Sequence, residues 1–213
     1  MTLPKAALSS VINKHCMAAH FILASASPRR RQLLASVGIV PDEVIPADID
    51  ETEHKGERPR DYVARVADGK CAKVAALHPD SVVLAADTAV ACGRRILPKA
   101  EDEATARACL RLLSGRRHRT YSGISLYLPE KGKRLCRVVQ TVVKFRLLNE
   151  DDIDQYMASG EWDGKAGGYA IQGSAQRFIP AINGSYSNVV GLPLNEVCRL
   201  LQQAGIYPSA PTT

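Results

Sequence analysis

Aromatic residues are scarce in this sequence: they form 5% of its 213 residues, with a single tryptophan. That is too few for an obvious base-stacking surface, which weighs against a nucleic-acid-binding module. The six cysteines, at positions 16, 71, 92, 109, 136 and 198, are scattered without close pairs. Nothing in them resembles a disulfide framework, so a reducing compartment is expected. Cys16 and His20 can share a metal, but no second pair completes a tetrahedral set. No apolar run approaches the roughly 20 residues of a membrane span. Residues 1–20 lack an apolar core with a cleavage site, which argues against a signal peptide. No Ser-His-Asp or Cys-His arrangement can be argued from residue order, so covalent catalysis has no support. Beyond residue 20 there is no repeat, linker or long charge run. One domain is expected over residues 21–207, after an N-terminal extension (1–20) and before a short tail (208–213).

What is present fits a soluble globular chain: 46% apolar and 23% charged residues. A chain of this length can bury roughly two-thirds of its unfolded surface. The net charge of +6 permits an anionic partner, although such a balance is commonly general surface charge.

The most informative stretch runs from Phe21 to Leu34. Phe21-Ile22-Leu23-Ala24 reads as a short strand, Ser25-Ala26-Ser27 as a bend, and Pro28 as the first residue of a helix with Ser27 as its N-cap. Gly38 closes that helix. Arg29, Arg30 and Arg31 occupy its first turn, where the helix dipole is already positive. Cations there make sense if a strong anion binds between them, held by backbone N–H groups and guanidinium forks. This points to a polyphosphate site. Three consecutive residues fan over about 200°, so at least one of the arginines should face elsewhere.

Farther on, residues 61–77 fit a helix with Val63, Val66, Ala67, Val74 and Leu77 on one face. Ser81–Ala91 reads as a central strand buried on both sides, with Arg95–Leu97 pairing back across Gly93. Helices are expected over Glu101–Leu113, from an Asn149 cap to Met157, and over Leu194–Gln203. Tyr121–Leu128 and Leu135–Arg146 form two strands about the Pro129–Gly132 turn. Shorter strands are expected at Tyr169–Gln172 and Phe178–Ile182. The alternation predicts an α/β fold, a mixed sheet flanked by helices.

Several side chains can carry chemistry. Asp87 stands in an apolar run where a bare charge is expensive to bury. It either bonds a nearby turn or serves as metal ligand or general base at a sheet edge. Glu51 ends the acidic loop Asp48-Ile49-Asp50-Glu51, which is either solvated or a source of a metal ligand. Mg²⁺ takes one or two carboxylates plus substrate phosphate, so Asp87 with Glu51 suffices. Lys70 projects from the apolar stripe of its helix, either snorkelling at its edge or reaching into a cleft towards phosphate. Lys99 and Lys165 occupy comparable places, and either can be a plain surface lysine. The segment Gly164–Gly173 matches neither a P-loop nor a dinucleotide fingerprint. Its glycines serve a turn or let backbone N–H groups approach a ligand. Gln172, within it, can complete a strand end or read a pyrimidine edge.

Together these segments resemble the Maf family, nucleoside triphosphate pyrophosphatases first named as septum-formation inhibitors. The matching pieces are Leu-Ala-Ser-Ala-Ser-Pro-Arg-Arg from Leu23, Asp-Ile-Asp-Glu ending at Glu51, Tyr62-Val63-Ala64-Arg65 with Lys70, Ala-Asp-Thr around Asp87, and Leu-Ser-Gly-Arg before His118. Lys-Ala-Gly-Gly-Tyr-Ala-Ile-Gln-Gly from Lys165 and the eleven residues from Asn183 to Pro193 complete the set. The resemblance implies a cytoplasmic, homodimeric hydrolase that splits a nucleoside triphosphate into monophosphate and pyrophosphate with a divalent cation, Mg²⁺ or Mn²⁺. It implies an inosine-triphosphatase-like fold with two lobes about a central cleft. Asp87 maps to the proton acceptor, and Arg29, Thr88 and Gln172 to substrate choice. Ser25, Arg30, Lys70, Lys99 and Lys165 fall to phosphate binding, and Glu51 with Asp87 to the metal. The Lys-Ala-Gly…Ile-Gln-Gly form is similar to the branch acting on dTTP and UTP. The alternatives are the 7-methyl-GTP branch and a non-catalytic nucleotide-binding regulator of cell division.

The sequence departs from the family pattern at four places. Gly164 stands where many relatives have Asp, Trp162 where many have Pro, Ala100 in place of Pro, and Ser122 in place of Thr. Gly164 leaves Lys165 without an orienting acid.

Overall fold

The computed structural model describes residues 20–209. The N-terminal extension, apart from His20, and Cys16 of the Cys16–His20 pair lie outside the described residues. The chain begins with β1 (Phe21–Ala24), α1 (Pro28–Ser36), β2 (Glu43–Val44), α2 (Pro59–Leu77) and β3 (Val82–Cys92). It continues through β4 (Arg95–Leu97), β5 (Lys99–Ala100), α3 (Glu103–Leu113), β6 (Arg117–Leu128) and β7 (Lys133–Lys144). The remaining elements are α4 (Glu150–Ala158), β8 (Lys165–Ala166), β9 (Ala181–Asn183), α5 (Tyr186–Val190) and α6 (Leu194–Leu201).

A mixed sheet runs β2-β1-β3-β6-β7-β9, with β4 folding back on β3. Among the described residues only β1 pairs in parallel, with β2 and β3, and the other strands of the sheet pair antiparallel. Strand alternation divides the core. Ile22, Ala24, Val83 and Ala85 face Cys71 and Val74 of α2, while Leu23, Leu84, Ala86 and Leu126 face Leu34, Val197 and Leu201 of α1 and α6. A second lobe gathers Leu110 and Leu113 of α3, Ile153 and Tyr156 of α4, and Phe145 and Phe178. Each fully buried Leu or Ile in these layers stabilises the fold by about 1.5–3 kcal/mol. The expected α/β class and mixed sheet flanked by helices are what the chain forms.

Local structure departs from expectation at Leu77, which ends α2 exposed rather than on its buried face, and in three further places. Tyr169–Gln172 is not a strand, because Gly167 (φ 71°) and Gly168 (φ 69°) turn the chain and the Ala170 N–H goes to the Tyr156 hydroxyl at 3.0 Å. Phe178–Ile182 is strand only from Ala181, as residues 174–178 form a 3-10 turn ahead of Pro180. Ser27 sits at the N-cap of α1, yet its side chain makes no cap hydrogen bond. The Asn149 cap does form, as a reciprocal box with Asp152. Part of the C-terminal tail is tied down, since the Ser209 N–H and hydroxyl both donate to the Gly38 carbonyl.

His118 is a buried titratable group beside the core of the second lobe. It is fully enclosed, 2.7 Å from the Tyr169 hydroxyl, and edge-on to Phe145. Burial pushes its pKa down to about 4. The unfolded chain takes up this proton near 6.5 and the folded chain only near 4, so the contribution is complete above 6.5 and is lost as pH falls through that window. The loss amounts to about 3 kcal/mol. Urea unfolding at pH 7 and pH 4.5 should therefore show a steeper loss for the wild type than for His118→Gln. Equal losses would remove His118 as the cause.

Candidate active site

One cleft of about 430 Å³ collects the residues singled out in the sequence: Ser25, Arg29, Arg30, Glu51, Lys70, Asp87, Thr88, Lys99, Lys165 and Gln172 all line it. Arg31 does not, as the fan of three arginines requires. The cleft opens where β1 gives way to its loop, the usual ligand position of such sheets.

The register of β3 sets its two polar residues apart. Asp87 shares a face with Val83 and Ala85 and looks towards α2, whereas Thr88 looks towards α1. Opposite Asp87 on β6 stands Gly123. A Cβ there would lie 2.0 Å from the Val63 carbonyl oxygen, so the missing side chain lets the α2 backbone rest directly on β6. Nearly two turns farther along α2, Lys70 reaches Asp87: its Nζ lies 2.9 Å from Asp87 Oδ1 and 2.8 Å from Glu51 Oε1. The Glu51 loop is seated by Ile45 and Ala47 on the core and by Ile49 against Gly69 of α2. Burial pushes the Glu51 carboxyl up, but the Lys70 hydrogen bond and the charges of Lys70, Lys99 and Arg30 hold it below the usual glutamate value. Lys99 is exposed and lies 3.8 Å from Glu51 Oε2.

Arg30 is a strut as well as a charge. It donates to the Gly191 carbonyl (3.0 Å), Ser25 Oγ (3.0 Å) and Thr88 Oγ1 (3.3 Å). Two of its five N–H groups are left for a ligand. Burial lowers its pKa, with Asp87 and Glu51 working in the opposite direction. Thr88 is further held by Ser122 Oγ at 2.9 Å, so the departure from Thr at 122 keeps the hydroxyl. Arg29 is half-buried, its pKa lowered by burial, and among the described residues it donates to no protein acceptor. Its fork is thus available to a phosphate or a base.

The small β5–β8 pairing places Lys99 opposite Ala166 and Ala100 opposite Lys165 at the cleft edge. Lys165 bonds the Asp163 carbonyl at 2.7 Å, so a backbone oxygen orients it in place of the acid that Gly164 lacks. Gln172 is exposed at the far end of the glycine turn with its amide unengaged by the described residues. Sequence reasoning assigned no role to Gly191, whose carbonyl joins Arg30 to Thr88. The motif from Asn183 delivers it: Asn188 bonds the Thr120 carbonyl and Thr141 Oγ1, and Ser185 caps α5.

Chemically, the cleft presents two carboxylate oxygens converging on one cation position, with a ring of further basic groups around it. The sequence model of the Maf-like protein family matches residues 20–204. The chain belongs to the Maf-like family. It is 58% identical to the dTTP/UTP pyrophosphatase of Paramagnetospirillum magneticum, over 88% of this chain and 98% of that one. It is 54% identical to the dTTP/UTP pyrophosphatase of Novosphingobium aromaticivorans, over 87% of this chain and 92% of that one. The nucleoside triphosphate pyrophosphatase of Ehrlichia canis is 52% identical, over 86% and 95% respectively. Among solved structures, the Ham1 protein of Staphylococcus aureus aligns at 20% identity and a TM-score of 0.40, over 59% of this chain and 71% of that one. In this Maf-like chain no described helix is long and apolar enough to cross a membrane.

Proposed function

We propose that this Maf-like chain is a hydrolase that splits dTTP and UTP into the nucleoside monophosphate and pyrophosphate, with a divalent cation, as nucleotide-pool housecleaning. One observation carries the reading: Glu51 and Asp87 converge on Lys70 Nζ, at 2.8 and 2.9 Å, inside a cleft lined by Arg29, Arg30, Lys99 and Lys165. The activities for which the relatives at 52–58% identity are named agree with it.

The donor set fits Mg²⁺ or Mn²⁺. Both ligands offer hard oxygens, and a site of one or two carboxylates completed by substrate phosphate suits Mg²⁺. Among the described residues no group of three or more His, Cys, Asp or Glu side chains converges, and substrate phosphate oxygens with water would complete the shell. When bound, the ion supplies Lewis-acid polarisation and neutralises charge on the phosphates.

The remaining steps belong to the chain. Arg29, Lys99 and Lys165, with the free donors of Arg30 and the Ser25 hydroxyl, orient the triphosphate. Lys70 holds Asp87 Oδ1 before nucleotide binds; in the loaded cleft its ammonium turns to the phosphates and the Asp87 carboxylate accepts the proton of a water attacking the α-phosphorus. The new bond joins the water oxygen to that phosphorus, the α–β bridging bond breaks, and pyrophosphate departs with the bonding pair. Positioning and charge neutralisation supply most of the acceleration. A cytoplasmic setting and a homodimer belong to the proposal on the family resemblance.

Gln172 offers its carbonyl to a pyrimidine N3–H and its NH₂ to O4. Discrimination over the 5-methyl should be lax, since one methyl in a pocket is worth about 1–3 kcal/mol. Gln172→Ala should cut the preference for UTP over GTP by about tenfold, while UTP and dTTP fall together. Competing kcat/KM measurements on the three nucleotides check this, and an unchanged UTP-to-GTP ratio would remove Gln172 from base reading.

A further inference from the structure

We propose that the Lys70 ammonium stands in for the divalent ion in the nucleotide-free cleft, so that the ion enters only with nucleotide or after it. The inference rests on the metal-dependent reading above. Nζ is nearly equidistant from Glu51 Oε1 (2.8 Å) and Asp87 Oδ1 (2.9 Å), and among the described residues it is the one group that touches both. Mg²⁺ binds such oxygens at about 2.0–2.1 Å, so an ammonium seated against both of them and the ion exclude each other by space and by charge.

The charge of the whole cleft acts in the same direction. Five basic side chains line it against the three carboxylates of Glu51, Asp87 and Asp163, a net of +2. An incoming dication meets repulsion, whereas a triphosphate meets attraction. Once nucleotide is present, its phosphate oxygens offer Lys70 a new partner and reverse the local sign. The Lys70 side chain is 10% exposed, its stem held in the α2 stripe and its head at the cleft wall. A lysine so placed can redirect its ammonium without moving its stem. Lys70 thereby compensates the charge of two neighbouring carboxylates before substrate arrives, and it couples ion entry to nucleotide entry.

The test measures Mn²⁺ retained with the protein on ultrafiltration, with and without the non-hydrolysable α,β-methylene analogue of dTTP. The wild type should retain Mn²⁺ at least tenfold more tightly with the analogue than without it. Lys70→Met, without nucleotide, should bind Mn²⁺ at least tenfold more tightly than the wild type does. Equal retention by the wild type with and without analogue would overturn the inference while leaving the metal-dependent reading intact. So would a folded Lys70→Met no tighter than the wild type. No retention in any arm would overturn both. If Lys70→Met does not fold, Lys70→Gln takes its place in that comparison.

Discussion

Asp87→Asn should lower kcat by about 10³-fold, within the range that positioned proton acceptors contribute. The exchange is nearly isosteric, and the side chain it replaces is buried, with 6% of its surface exposed. Lys70 keeps its second partner in the variant, because the 2.8 Å contact with Glu51 does not involve Asp87. The fold should survive for that reason, with a melting temperature close to the wild type. An amide can still accept a hydrogen bond from Lys70 but cannot take the proton of the attacking water. KM should move far less than kcat, the pattern of an interaction made in the transition state. Steady-state kinetics and thermal unfolding on the same preparation separate the two effects. A folded variant retaining more than a tenth of wild-type kcat would remove Asp87 as proton acceptor.

Gly123→Ala carries the second large effect, for a reason of packing. Its Cβ would lie 2.0 Å from the Val63 carbonyl oxygen and 2.5 Å from the Val63 carbonyl carbon. Those are backbone atoms, so no side-chain rotation relieves the overlap, and α2 has to retreat from β6. Overpacking of this kind costs about 1–3 kcal/mol, and backbone contact places the cost at the upper end. For a chain of this size that lowers Tm by roughly 5–10 °C. The retreating helix carries Lys70, while Asp87 stays on β3 opposite position 123. Turnover per folded molecule should therefore fall together with stability. Calorimetry and kinetics on the purified variant check both, and an unchanged Tm would mean that α2 is not held by this contact.

These two residues also mark what the sequence discloses and what it conceals. Asp87 was visible because a bare carboxylate interrupts a long apolar run, and Lys70 because it falls in phase with the buried stripe of its helix. Arg29 and Arg30 were visible because cations at a helix N-terminus demand an anion. Gly123 was silent: its role depends on a helix some 60 residues earlier in the chain, and nothing beside it betrays the contact. Gly191 was equally silent, since its contribution is a carbonyl that any residue possesses.

The strand expected at Tyr169–Gln172 failed for a local reason. Its alternating apolar residues satisfy the period of a strand, but two glycines with positive φ precede it, and Tyr156 takes the Ala170 N–H. Ser25 and Arg30, which the family resemblance gives to phosphate, line the cleft. Their mutual bond, and the Arg30 bonds to Gly191 and Thr88, show that both also brace the wall. A single sequence reports residue type and period; it does not report which donors are already committed to the protein.

The most direct measurement counts products. Purified protein with Mg²⁺ is given dTTP, UTP, GTP or 7-methyl-GTP, and monophosphate, pyrophosphate and inorganic phosphate are quantified against nucleotide consumed. The cleft as described predicts one monophosphate and one pyrophosphate per dTTP or UTP, with both consumed at least tenfold faster than the purine nucleotides. Inorganic phosphate in place of pyrophosphate, or no turnover of any of the four, would contradict it.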